Sequence, residues 1–128
     1  MLSSHIWTSM KYLTEIEIRT LISLGKTLEM FFGQTADNIE IMNWVSLSKR
    51  KTGQIEVSTH SVFDEGDIDN LDIYSFTPVD PDNYFETKEF STLDEALKFL
   101  RDNYQLIDLR FVNQGLIQDE YKLLKEKS

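Results

Sequence analysis

The sequence predicts an α+β fold in which an antiparallel sheet of three to five strands is flanked by an N-terminal helix and one or two C-terminal helices. Two observations predict it: apolar residues recur at helical spacing near both ends of the chain, and they alternate with polar residues in the middle. The central connections are too short for crossover helices, so antiparallel pairing is expected. The 128 residues fit a single α+β domain, residues 1–128.

The first element is predicted as a helix over residues 14–32. Thr14 and Glu17 fit a capping box, and Gly33 fits the position that follows a helix C-terminus. Alternation in residues 15–19 leaves a strand open as the alternative. The length of the helical pattern and its two end signals favour the helix.

A hairpin is predicted next, from strands at residues 39–48 and 54–63. The loop between them, KRKTG, is polar, contains a glycine and has the length of a hairpin connection. The segment LDIYSFTPV (residues 71–79) is predicted as a third strand, and NYFETKEF (residues 83–90) is a candidate for a fourth. These strands form the body of the expected sheet.

The C-terminal part predicts helices at residues 92–104 and 118–127, with LIDLRFV (residues 106–112) as a candidate last strand. Thr92 and Glu95 fit a second capping box. Helices that cover one face of the sheet would bury the apolar stripes. The predicted core consists of Ile18, Leu21, Leu28, Phe32, Ile41, Val45, Ile55, Val57, Leu97 and Leu100.

Charge is concentrated in one region of the chain. The net charge is −9, but residues 64–95 hold eleven acids and one base, Lys88, and so carry −10. Such a region repels nucleic acid and anionic membranes and attracts cations or basic proteins. The basic run KRK at residues 49–51 lies in a hairpin loop, where it is typical of a solubilising tip. We therefore predict no nucleic-acid partner and no membrane partner.

The composition excludes several chemistries. The chain has no cysteine, which rules out disulfides, thiolate metal sites and a cysteine nucleophile. An EF-hand started at Asp67 fails, because Leu71 stands at the third ligand position and Asp72 where glycine is needed. No apolar run is long enough to span a bilayer and no signal peptide is recognisable, so a cytoplasmic location is predicted. No metal and no cofactor is predicted.

Catalysis has little support in the sequence. His60 and Ser61 are neighbours on a strand and point to opposite faces, so they do not form a nucleophile–base pair. No GxSxG, HExxH or P-loop motif occurs. The chain is predicted not to be an enzyme. The alternative is a small enzyme or ligand-binding domain that uses His60 with nearby carboxylates such as Asp64.

The acidic region is interpreted as a surface for a basic protein partner. Tyrosines among carboxylates suit protein recognition, because the ring anchors the contact and the charges steer the partner. The predicted binding residues are Asp64, Glu65, Asp67, Asp69, Asp72, Tyr74, Asp82 and Tyr84. The predicted function is that of a small acidic inhibitor, such as an immunity or antitoxin-type protein that neutralises a nuclease toxin. The simpler interpretation is that the acids only keep the domain soluble, and the oligomeric state is left open.

Overall fold

The computed structural model describes residues 12–36, 40–67, 69–82, 85–104 and 109–126. Its elements are helix α1 (Glu15–Ser23), strands β1 (Leu28–Ala36), β2 (Glu40–Lys49) and β3 (Ile55–Phe63), a 3-10 helix (Ile73–Ser75), β4 (Phe85–Phe90), α2 (Leu93–Tyr104), β5 (Val112–Asn113) and α3 (Ile117–Glu126). The five strands form one antiparallel sheet in the order β4-β3-β2-β1-β5. The α+β class is therefore confirmed.

The N-terminal helix is much shorter than predicted. Its capping box is confirmed, because Thr14 and Glu17 each accept from the other's backbone N–H. The helix ends in a Schellman motif: Gly25 has φ +84°, its N–H donates to the carbonyl of Ile22, and Lys26 N–H donates to that of Leu21. The prediction that the helix continues to residue 32 is wrong, because the chain turns at Gly25 and starts β1 at Leu28.

The central hairpin is confirmed and one predicted strand is wrong. β2 and β3 pair from Ile41↔Phe63 to Lys49↔Ile55, and the NYFETKEF segment provides β4. Residues 71–79 do not form a strand; they contain the 3-10 helix and one isolated bridge, Val62↔Pro78. The candidate last strand at residues 106–112 is reduced to Val112–Asn113 within the described residues.

Helices cover both faces of the sheet rather than one. On one face, α1 and α2 pack on Leu28, Val45 and Val57 to form the first core cluster. On the other face, Ile117 and Tyr121 of α3 and the residues around the 3-10 helix pack on Met42 and Trp44. The sheet is buried on both sides because β2 alternates between two apolar rows, with odd positions facing one cluster and even positions the other.

Most of the predicted core is buried. Full burial is found for Ile18, Leu28, Val45, Ile55, Val57, Leu97 and Leu100. Leu21 and Ile41 are partly buried, and the side chain of Phe32 lies outside the described residues. None of the helices in the described ranges has the length and apolar character that a membrane crossing requires.

Candidate interaction surface

The acidic segment, defined here as residues 64–82, holds seven carboxylates and no basic residue. It leaves the end of β3, crosses the sheet face next to α3 through the 3-10 helix, and leads towards β4. Among the described residues, the ion pairs join Arg19, Arg50, Lys98 and Arg101 to acids outside this segment. The segment itself therefore contributes seven acidic side chains and no basic one.

Hydrogen bonds to α3 hold the segment against the domain. The Tyr121 hydroxyl donates to Asp64 Oδ1, and Gln118 Nε2 donates to Asp72 Oδ1 at 3.2 Å. Burial and the Asp64 carboxylate raise the pKa of Tyr121, so its hydroxyl remains a donor at neutral pH. Two of the predicted binding residues are thereby fixed to the last helix.

Further hydrogen bonds shape the segment internally. Both oxygens of Glu65 accept from Thr77, from its N–H at 2.6 Å and its hydroxyl at 2.7 Å. Asp67 Oδ1 accepts from the N–H groups of Asp69 and Asn70, which is the arrangement of an Asx turn. All these donors are neutral, so they position the carboxylates without adding a positive charge to the segment.

The remaining predicted binding residues fall into two groups. Asp69 and Asp82 are exposed, and Tyr74 exposes 45% of its surface. Tyr84 lies outside the described residues. Several of the described candidates therefore hold the acidic segment in place, while others are exposed on it.

An aromatic row lies beside the acidic segment on the same face of the sheet. We define it as Tyr74, Trp44, His60 and Phe85. Trp44, His60 and Phe85 stand directly opposite one another on β2, β3 and β4. Trp44 and His60 stack with centroids 3.8 Å apart and planes 7° apart, Phe85 lies 5.3 Å from His60, and Tyr74 meets Trp44 edge-on at 5.5 Å. The two ends are open to solvent, since Tyr74 and Phe85 are about half exposed.

Glu29 is a buried acid that supports the candidate surface and that the sequence analysis did not single out. It is 1% exposed, and its Oε1 accepts from the Tyr74 hydroxyl at 2.6 Å and from Gly115 N–H at 2.9 Å. Burial raises the pKa of Glu29, and these two hydrogen bonds lower it. The carboxylate ties β1, the 3-10 helix and the turn before α3 together. A single acid in the apolar stretch LEMFF was the only sequence signal for it.

His60 packs between two aromatic rings. Its imidazole is flanked by Trp44 and Phe85, and burial lowers its pKa to about 4. Asp64, its suggested carboxylate partner, binds the Tyr121 hydroxyl instead. Within the described ranges, no three of the His, Asp and Glu side chains are grouped so that they could hold a metal ion.

Comparison with protein-family models, with curated protein sequences and with solved structures finds no match to this chain.

Proposed function

We propose that the chain is a binding protein whose acidic segment and aromatic row engage a basic protein partner, in the manner of an immunity or antitoxin-type inhibitor of a nuclease. One observation carries the proposal: the acidic segment holds seven carboxylates and no base, and neutral donors fix Asp64, Glu65 and Asp72 among them. A surface that keeps its charge and loses little freedom on binding is suited to a strongly basic site.

The exposed aromatic residues supply what charge alone does not. Charged rims mainly accelerate encounter, whereas buried aromatic anchors slow dissociation. Tyr74 lies within the acidic segment itself, and Phe85 follows it on β4. This combination of steering charge and amphipathic rings favours a protein partner over a small cation.

Under this proposal the protein is cytoplasmic and is not an enzyme. The alternative, a small enzyme or ligand-binding domain based on His60, gains no support from a histidine that stacks on Trp44 without a described hydrogen bond to a carboxylate. The absence of catalytic activity stays a prediction.

Capture from lysate of the source cells tests the proposal. The wild-type chain serves as bait beside a segment variant, in which Asp69, Asp72 and Asp82 are changed to asparagine. We expect the wild type to retain a basic protein that the segment variant loses, because the change removes three of the seven charges from the segment.

The matched control places the same change of charge on the helices. A helix variant with Glu15→Gln, Glu95→Gln and Asp102→Asn has the same net charge, −6, as the segment variant. The ion pairs that it breaks are exposed and contribute about 0–1 kcal/mol each. Equal retention by both variants would contradict a role for the acidic segment.

Inhibition is tested on the captured partner. We expect its nuclease activity to fall in proportion to added chain and to vanish near one equivalent. If the partner stays fully active when it is saturated with the chain, the chain is a binding protein but not an inhibitor.

A further inference from the structure

Within the part of the chain that the structure describes, β4 is a long edge strand of the sheet with no strand on its outer side. Phe85–Phe90 pairs with β3 on its inner side, and residues 85–89 are all exposed. Within the described ranges, no strand pairs with the outer side of β4, so its outward N–H and C=O groups lack a β partner. An unpaired edge of this kind can accept an added strand.

The acidic segment continues the same edge. Residues 77–79 lie beside the end of β3 on the side that β4 occupies further along, through the Val62↔Pro78 bridge and Val79 N–H donating to the Ser61 carbonyl at 3.0 Å. Asp80 and Asp82 follow before β4 begins. The open edge of β4 is therefore bordered, at its N-terminal end, by exposed carboxylates.

The aromatic row ends at this edge. Trp44, His60 and Phe85 occupy successive strands, and Phe85, on the outermost strand, is 50% exposed. A strand added beside β4 would lie about 4.8 Å further out. One of its side chains would then stand next to Phe85 and extend the row by one member.

We propose that an extended basic segment of the partner adds to the sheet as a strand along β4, with one of its side chains packed on Phe85. This inference rests on the proposed function, which supplies the idea that the partner is basic. It adds that the partner binds by strand addition. Main-chain hydrogen bonds supply affinity in this mode, and the side-chain pockets supply selectivity.

Charge decides which occupant the edge takes. A second copy of this chain carries the same net charge of −9, so two copies repel each other overall. On β4 itself, Lys88 Nζ lies 5.8 Å from the Phe99 ring, and Glu89 is paired with Arg50. Like charges oppose pairing between copies, whereas a basic segment is attracted.

The test uses a defined peptide, acetyl-Arg-Val-Arg-Thr-Arg-Val-Arg-amide, and the full chain labelled with ¹⁵N. The peptide is expected to shift the amide signals of Phe85–Phe90 and to slow hydrogen exchange of those amides that point outward. A matched peptide carries N-methyl groups at every internal residue, which keeps its charge but removes amide donors from both edges. We expect it to bind at least about tenfold more weakly.

Side-chain packing is tested with Phe85→Ala and a control at another exposed apolar residue, Ile16→Ala on α1. Loss of Phe85 is expected to weaken peptide binding about tenfold. The control is expected to bind like the wild type. Equal affinities for Phe85→Ala and the wild type would remove Phe85 from the interface.

The outcomes separate this inference from the proposed function. If the N-methylated peptide binds as tightly and shifts only residues 64–82, strand addition is wrong while an acidic binding surface remains. If neither peptide shifts β4, the inference fails, and the capture experiment decides the function independently. Protection of β4 that grows with the concentration of the chain alone would make a second copy the occupant and overturn the proposal.

Discussion

Glu29 is the clearest case of a single residue that the fold holds at a cost. Its pKa is raised by burial, so its contribution to stability is present below the ordinary value of 4.5 and is lost as the pH rises. Glu29→Gln removes the charge, and an Oε1 acceptor for Tyr74 and Gly115 is retained. We expect the variant to be more stable than the wild type at pH 7, by denaturant unfolding, and the gain to shrink towards pH 4.

The matched change for Glu29 is truncation to alanine. It removes the acceptor that the Tyr74 hydroxyl and the Gly115 N–H share, and each of these part-buried hydrogen bonds contributes about 0.5–1.5 kcal/mol. If the stability gained by Glu29→Gln stayed constant with pH, the charge of Glu29 would not be its cause.

For His60, the dependence of stability on pH is expected to run in the opposite direction from that of Glu29. Burial lowers its pKa from 6.5 to about 4, so between these values the unfolded chain binds the proton and the folded chain does not. Stability from this group is therefore full above pH 6.5 and falls as the pH drops towards 4. The wild type should lose stability relative to His60→Gln over that range, measured as melting temperature against pH. Parallel curves would contradict the burial of His60.

Glycine is required at position 66 because neighbouring atoms leave no room for a Cβ, and not because of its φ angle. A Cβ at this position would lie closer than 3.0 Å to the Asn70 carbonyl oxygen, the Phe76 ring and the Tyr121 hydroxyl. Because the first of these is backbone, it cannot swing aside. We expect Gly66→Ala to cost about 1–3 kcal/mol in unfolding free energy. Gly53→Ala is a poor control, since Gly53 has φ +94°, so Thr52→Ala at the neighbouring exposed turn position serves instead.

At the scale of elements, the sequence predicted what local patterns determine. The β2–β3 hairpin, α2 and α3 all have complete signals within their own residues, and all are confirmed. The first helix was predicted too long because Leu28 and Phe32 continue the helical spacing of α1 by coincidence. Gly25 was the true stop signal, and Gly33, chosen instead, lies at a bulge in β1.

The candidate surface was predicted by charge but not by contacts. Acidic residues could be counted directly, which located residues 64–82. Their fixation could not be predicted, since Asp64–Tyr121 and Tyr74–Glu29 join residues far apart in the chain. The same limit applied to residues 71–79, where the alternating pattern suggested a strand while Ile73 and Phe76 instead pack under α3.

Helix α2 offers a test of the first core cluster. Leu97 is 1% exposed and packs between the helix and the sheet. Leu97→Ala should cost about 2–5 kcal/mol in unfolding free energy, because it removes buried methyl groups and leaves a cavity. Lys98→Ala, one position along and exposed, should change stability by no more than about 0.5 kcal/mol. If Leu97→Ala costs less than roughly 0.5 kcal/mol, Leu97 is not on the face of α2 that packs against the sheet.

For the molecule as a whole, charge is expected to act on encounter with a partner. Electrostatic attraction is screened over about 8 Å at physiological ionic strength. Once a partner is captured, its association rate should fall steeply with added salt. The segment variant should associate more slowly and show a flatter salt dependence, whereas dissociation should change little. Stopped-flow rates across ionic strengths measure this; identical slopes for segment and helix variants would contradict it.

The link between the acidic segment and α3 has a consequence for how the protein is made. The donors that fix Asp64 and Asp72, Tyr121 and Gln118, are synthesised some fifty residues after the carboxylates that they hold. A nascent chain therefore carries its whole charged segment before it has the helix that arranges it. The organised surface should arise only once residues 117–126 have left the ribosome, so a partner present in the same cell would meet either an unarranged segment or the finished molecule.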